Sequence, residues 1–202
     1  MTLNTLTLNQ LLSDLASKQP TPGGGAVAGV LAGLSTALGS MVLAYSHGKQ
    51  SLEEHHELHA DCMTFLKAAK EEGIALGDAD AAAYEKVSEL WKLSKSDPNR
   101  INQWDTALTD AIQIPIQTME LSERILITLK TLIGKTNEIL ASDLAIAAIL
   151  AESSARAAHW NVGINTIQLD CESQKKAFNE QSNELLDSCR ELAGLIEQSC
   201  KV

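Results

Sequence analysis

Two carboxylates stand where apolar residues belong. Asp80 falls on the helical row Leu76, Asp80, Tyr84, Val87, and Asp143 on the row Ile139, Asp143, Ile146, Leu150. A carboxylate on a core-facing stripe is costly unless it is paired, hydrogen-bonded or lining a cavity. Such groups acquire shifted pKa values and can move protons as general acids or bases. The plainer readings are a helix cap for Asp143 and a lysine partner for Asp80. Asn161 and Asn165 are amides at i, i+4 in an apolar stretch, suited to fixing a polar ligand or a second helix. Gln19-Pro-Thr-Pro-Gly-Gly-Gly25 is a rigid turn followed by three glycines. At a helix N-terminus these expose backbone N–H groups to an anionic or carbonyl group of a ligand. A turn needing unusual dihedrals would also use them.

Other constellations fail on spacing. Gly23, Gly25 and Ala28 match GxGxxA, but Pro20-Thr-Pro22 precedes them where a strand is required, and no acidic residue follows about twenty positions later. Gly48-Lys49 lacks the upstream glycine of a phosphate loop and runs on into Gln50-Ser51. Glu-Glu-His55-His56-Glu-Leu-His59-Ala60 is not HExxH. His55 and His59 could bind a metal ion at i, i+4, but in so charged a segment a solvated face is expected. His47 and His159 are expected to be structural, and Glu152 with Arg156 to form a surface or interface pair. Cys62, Cys171, Cys189 and Cys200 make no CxxC, which points to free thiols and neither a zinc ribbon nor a redox pair.

The elements that must position these groups are helices. Proline is absent from 23–97 and from 116–202, so both stretches can be helical. A short amphipathic segment carries Leu6 to Leu15. An uncharged run from Ala26 to Tyr45 follows, then a helical row from Leu58 to Ser94. Ser96-Asp-Pro-Asn99 reads as a turn. A fourth helix from about Asn102 to Leu132 should kink at Pro115. Gly134–Asn137 reads as a loop, a fifth helix runs from Ser142 to about Leu169, and Leu185, Cys189, Leu192, Ile196 and Cys200 share one face of the last. The expected fold is all-α, a single up-and-down bundle of five to six helices over residues 1–202, with a buried Gly/Ala-rich central helix. That central run is long enough to cross a bilayer, but it lacks flanking basic clusters and aromatic anchors. Burial on all its sides in so small a chain suggests that a second subunit supplies part of the cover.

Composition sets outer limits. Across 202 residues, 16 basic against 26 acidic side chains leave a net charge of −10. Such a chain is not built to wrap nucleic acid or to sit on an anionic membrane surface. Aromatics are only 3%, so the core must come from Leu, Ile, Val and Ala. The N-terminus has no basic region or signal-peptide core, and a cytoplasmic location is expected.

Ser17-Lys-Gln-Pro-Thr-Pro-Gly-Gly-Gly25 and the run through Val42 resemble the N-terminal signature of the cyclodeaminase/cyclohydrolase family, the formiminotetrahydrofolate cyclodeaminases and methenyltetrahydrofolate cyclohydrolases. Asp80-Ala-Ala-Ala-Tyr84-Glu-Lys-Val87 is similar to the family's D-x-x-A-[FY]-x-x-V. Ala111-Ile-Gln-Ile-Pro115, Ser142-Asp143-Leu-Ala-Ile-Ala-Ala-Ile-Leu150 and Asn161-Val-Gly-Ile-Asn165 follow in family order, and the resemblance covers about residues 8 to 167. It implies an intertwined helical bundle, a homodimer or larger, acting on a tetrahydrofolate derivative without a metal or other cofactor. It implies acid–base catalysis by Asp143, and the place of Asp80 on an apolar row makes it the expected electrostatic partner or orienter. Gly23, Gly24, Gly25 and Lys49 would line the folate cleft, joined by Lys95, Asn137, Ser142, Asn161 and Asn165. The chain departs from the family pattern at Lys49-Gln-Ser-Leu, at Leu93-Ser-Lys95, at Ile139 and at Ala145. A catalytically silent folate-binding or helical oligomerisation protein is the alternative.

Overall fold

The computed structural model describes residues 2–200, and among them every regular element is helical. There are six α-helices: α1 (Leu8–Leu15), α2 (Gly24–Ala44), α3 (His56–Trp91), α4 (Pro98–Thr131), α5 (Ala141–Thr166) and α6 (Glu172–Ser199). Short 3-10 turns lie at Leu3–Thr5, Gln50–His55 and Glu138–Leu140.

Local chemistry sets the helix ends. Thr7 and Gln10 close a capping box on α1. Asp97 caps α4 by accepting from the Asn99 N–H at 2.8 Å, with Pro98 in the first turn where no donor is needed. The Ser-Asp-Pro-Asn signal therefore opens a helix four residues before the expected start. Gly24 begins α2 two residues earlier than expected, because nothing in three glycines prevents helical dihedrals. α5 ends at Thr166, three residues before the expected Leu169.

The bundle runs up and down. The short connection from Trp91 to Pro98 turns α4 back antiparallel to α3, so that Thr131 near the end of α4 meets Cys62 near the start of α3 and Arg124 pairs with Glu72 between them. Ser35 Oγ donates to the Ala147 carbonyl at 2.7 Å, and Ser154 Oγ to the Ala28 carbonyl at 2.8 Å. These two bonds align α5 antiparallel to α2 and satisfy both hydroxyls at the buried seam. α6 returns against α5 and α4, with His159 Nδ1 and Ser182 Oγ 2.9 Å apart. The core is aliphatic: Leu43, Leu66, Ile112, Ile116, Leu121, Ile125, Leu126 and Leu129 are fully buried. Each contributes roughly 1.5–3 kcal/mol by leaving water.

α2 crosses α3 at backbone contact. A Cβ at Gly29 would sit 2.4 Å from the Gly73 carbonyl oxygen and 2.9 Å from the Gly77 Cα. Small residues on both helices are the condition for this approach. α2 is the one described helix long and apolar enough to cross a bilayer. Here Ala28, Ala32, Ser35, Thr36, Val42 and Leu43 are buried between α3, α5 and α4. The single chain does not cover every side of α2, as expected of a helix whose cover is supplied in part by a second subunit. Leu31, Leu34, Leu38, Met41 and Tyr45 form a stripe that is only partly covered or open.

α4 runs through Pro115 as one helix. Proline has no N–H, so the Ala111 carbonyl loses its partner one turn back. The Asn165 side chain fills that place, donating from Nδ2 at 2.7 Å. All four cysteines are free, as expected, with Cys171 exposed and the others buried.

Candidate functional site

The glycine turn and the C-terminal half of α3 meet at one end of the bundle and enclose a cleft of about 580 Å³. Its inner end carries Gly23, Gly24, Gly25, Asp80, Asn161 and Asn165. Tyr84, Trp91, Leu108 and Ile164 supply apolar and aromatic wall. This pairing of an apolar wall with a few convergent polar groups is the usual form of a small-molecule site. A second depression, between Glu72, Glu120, Glu123 and Arg124, has no comparable apolar wall.

Asp80 sits against the backbone of α2. A Cβ at Gly25 would lie 1.9 Å from Asp80 Oδ2 and 2.0 Å from its Cγ. Gly25 is therefore glycine because the carboxyl occupies the space of a side chain. Neither Gly23, Gly24 nor Gly25 has positive φ, so unusual dihedrals are not their reason. Burial pushes the Asp80 carboxyl up to about 6. No lysine partner relieves it: among the described residues Asp80 makes no ion pair and no hydrogen bond. The first-turn N–H groups of α2 have no intrahelical acceptor, and no side chain caps them.

Asn161 and Asn165 differ in their duties. Asn165 is committed through Nδ2 to Ala111, although it also lines the cleft. Asn161 presses its Oδ1 towards Gly24, where a Cβ would be only 3.2 Å away. Its Nδ2 is buried with no acceptor. A buried donor left unpaired costs about 1–3 kcal/mol, which a ligand acceptor would recover.

The remaining expected site residues lie elsewhere in this chain. Asn161 and Asp143 are eighteen positions apart on α5, about 27 Å along the helix. Asp143 is half-buried, and its row faces away from the core: Ile139 is 84% exposed and Ile146 46%. The reading of this row as core-facing is thus corrected. An apolar helical stripe reveals that something covers it, not what. Ser142 is exposed beside it. Lys49 lies exposed beyond the far end of α2, a helix about 31 Å long. Near it, the Asn137 N–H donates to Ser46 Oγ at 2.9 Å. Lys95 is exposed beyond the C-terminus of α3 and does not line the cleft.

The histidine segment also departs from expectation. His59 is buried, with Nε2 2.6 Å from the Lys135 carbonyl, and clasps the loop after α4. Burial lowers its pKa below the ordinary value. Among the described residues no three His, Cys, Asp or Glu side chains come together around a possible metal ion.

Sequence reasoning missed Lys92, Trp91 and Gln168 as cleft residues. For Trp91 the available signal was the row from Asp80 through Tyr84, a helical face continued by three turns, whereas Lys92 and Gln168 lie just past the ends of α3 and α5 and on no such row.

Fold and site together define an all-α bundle with a ligand cleft built on a glycine-rich helix start and a buried carboxyl. The family model described as Formiminotransferase-cyclodeaminase matches residues 7–184, and the chain belongs to that family, the folate one-carbon cyclodeaminases and cyclohydrolases. It is 29% identical over 198 residues to the formimidoyltransferase-cyclodeaminase of Gallus gallus, covering 96% of this chain and 37% of that protein. The chain thus spans a little over a third of the length of that relative. It is 28% identical over 203 residues to the methenyltetrahydrofolate cyclohydrolase of Methylorubrum extorquens, covering 96% of this chain and 90% of that one. The crystal structure of formiminotetrahydrofolate cyclodeaminase from Thermotoga maritima superposes with a TM-score of 0.90 at 25% identity, covering 97% and 96% of the two chains.

Proposed function

We propose that the cleft binds a tetrahydrofolate one-carbon derivative and that Asp80 moves protons at the carbon joining its two nitrogens. The observation that carries this reading is Asp80 itself, a carboxyl seated on Gly25 inside the cleft and raised to about 6 by burial. A group titrating there can accept and return a proton near neutral pH.

Two reactions fit. In cyclohydrolysis, water oxygen bonds to the cationic methenyl carbon while Asp80 takes a water proton. That proton then passes to the departing ring nitrogen as its bond to carbon breaks. The carbon keeps its oxygen as a formyl group, and the hydroxyl proton leaves to solvent. In cyclodeamination, the aryl nitrogen bonds to the formimino carbon and gives its proton to Asp80. The imino nitrogen leaves as ammonia, carrying that proton and one more from solvent, and the methenyl cation remains. In both, a carboxylate stabilises the cationic carbon. The Asn161 amide and the first-turn N–H groups of α2 hold the polar end of the substrate. Side chains supply these proton transfers, and neither a metal nor an organic cofactor is required.

A second copy of the chain completes the site. α1 is amphipathic, yet none of its residues is buried, and Leu8 and Leu12 are exposed. The open stripe of α2, Ile139 in the turn before α5 and the face of α5 carrying Ile146, Trp160 and Ile164 lack cover as well. Asp143 and Ile164 lie on the same α5 face, and Ile164 lines the cleft. A two-fold packing of these antiparallel stripes brings Asp143 of one subunit to the cleft of the other. Asp143 then acts as a second carboxylate across the subunit boundary, with Lys49 and Ser142 nearby.

The test is an absorbance assay with 5,10-methenyltetrahydrofolate and then with 5-formiminotetrahydrofolate. Loss of the methenyl chromophore above the uncatalysed rate identifies a cyclohydrolase, and its appearance identifies a cyclodeaminase. Silence with both from folded protein overturns the reading.

A further inference from the structure

We infer that Lys92, beside Trp91 at the mouth of the cleft, anchors the glutamate carboxylates of the substrate and so determines which folates are accepted. This rests on the reading of the cleft as a folate site. Asp80 and Lys92 are twelve positions apart on one helix and its cap, about 18 Å along the axis. Between them Tyr84, Val87, Ser88 and Trp91 line the cleft. The cleft therefore presents a proton-transfer group at its inner end, an aromatic wall, and a cation at its outer end. A tetrahydrofolate derivative has the same order: the one-carbon bridge, a benzoyl ring, and then a glutamate with two carboxylates.

The other nearby cations are differently placed. Arg100 donates from one guanidinium nitrogen to the Leu93 carbonyl at 2.8 Å and the Trp91 carbonyl at 3.3 Å. Its guanidinium carbon also stands 4.6 Å from the centre of the Trp104 ring. Trp104 in turn meets Trp91 edge-on, with ring centres 5.6 Å apart. Arg100 thus fixes the end of α3 and, through Trp104, the indole of Trp91. Lys95 and Lys49 do not line the cleft. Lys92 does, and among the described residues no carboxylate lies within ion-pair distance of it. Trp91, 51% exposed even with Trp104 behind it, keeps a free surface for an aromatic ring. A chain of net charge −10 repels a dianionic tail at long range, so a local cation has a large effect on its capture.

The inference separates from mere stabilisation of the α3 terminus by using a substrate that lacks the tail. Steady-state kinetics are measured for wild type, Lys92→Ala, Lys92→Glu and Lys92→Arg. The substrates are the tetrahydrofolate derivative that wild type turns over and its tetrahydropteroate counterpart, which has no glutamate. Lys92→Ala lowers kcat/KM about tenfold on the folate, mainly through KM, and less than twofold on the pteroate. Lys92→Glu is worse on the folate, Lys92→Arg restores most of the loss, and salt weakens wild type more than Lys92→Ala. Equal losses on both substrates, or no loss on the folate while wild type remains active, overturn the anchor and leave the folate reading standing. A wild type that turns over neither one-carbon form overturns both.

Discussion

Asp80 couples stability and chemistry in opposite directions. Its carboxyl is raised by burial from 3.8 to about 6. The folded state thus favours the protonated acid, and Asp80's contribution to stability is fully present below 3.8 and lost as pH rises through about 6. Asp80→Asn, which cannot ionise, should be more stable than wild type at pH 7.5, by up to about 3 kcal/mol. The gain should vanish near pH 3.5, and thermal melts at the two pH values check it. The same variant should lose a hundredfold or more in turnover, and wild-type activity should rise with pH through about 6 where the carboxylate is the required form. Gly25→Ala forces a Cβ into the Asp80 carboxyl. It should cost about 1–3 kcal/mol in chemical denaturation, and adding Asp80→Ala should recover stability but not activity. Asp80 was legible in the sequence because an acid interrupts an apolar row. Its contact with Gly25 was not, because 55 residues separate them and only the α2–α3 crossing brings them together.

Two helix pairings account for the cleft's geometry. α2 approaches α3 through Gly29, Gly73 and Gly77. Gly29→Ala meets backbone on both sides, with no flexible side chain to yield, and should lower stability by about 2–4 kcal/mol in denaturant unfolding. α4 and α5 are joined at the cleft by Asn165 and the Ala111 carbonyl that Pro115 leaves free. Asn165→Ala strands that carbonyl and should cost about 1–3 kcal/mol, whereas Pro115→Ala supplies an N–H one turn on and should remove most of the penalty. A double-mutant cycle on the two positions reads the coupling directly. Helix identity was legible from periodicity, including the small-residue face of α2 that lets another backbone approach. The link between Pro115 and Asn165 was not, because it depends on which helix passes a carbonyl left without its donor.

The single chain leaves apolar surface open along α1, α2 and α5. Sedimentation should find a dimer, and Ile146→Glu should shift it to monomer with loss of activity. Heterodimers test site sharing more sharply. Asp80→Asn and Asp143→Asn homodimers should each be impaired. Mixed and allowed to exchange, they should recover about a quarter of wild-type activity, since half the dimers are mixed and each mixed dimer holds one intact site. No recovery, with exchange verified, would assign both carboxylates to the same chain or remove Asp143 from the mechanism.

The sequence alone determined the helical class, the order of the helices and the positions where polar groups break apolar faces. Those features follow from local periodicity and from proline and glycine placement, which need no knowledge of neighbours. Tertiary structure decided which polar groups share a cleft. It joined Asp80 and Asn161 to the glycine turn and left Asp143, Ser142, Lys49 and Asn137 towards the other end of the molecule. The reason is direction: antiparallel packing pairs the start of one helix with the end of the next. Residues that sit together in a list of motifs can therefore stand a helix length apart. The Asp143 stripe shows the same limit, since its apolar period is the same whether the cover comes from this chain or from a second.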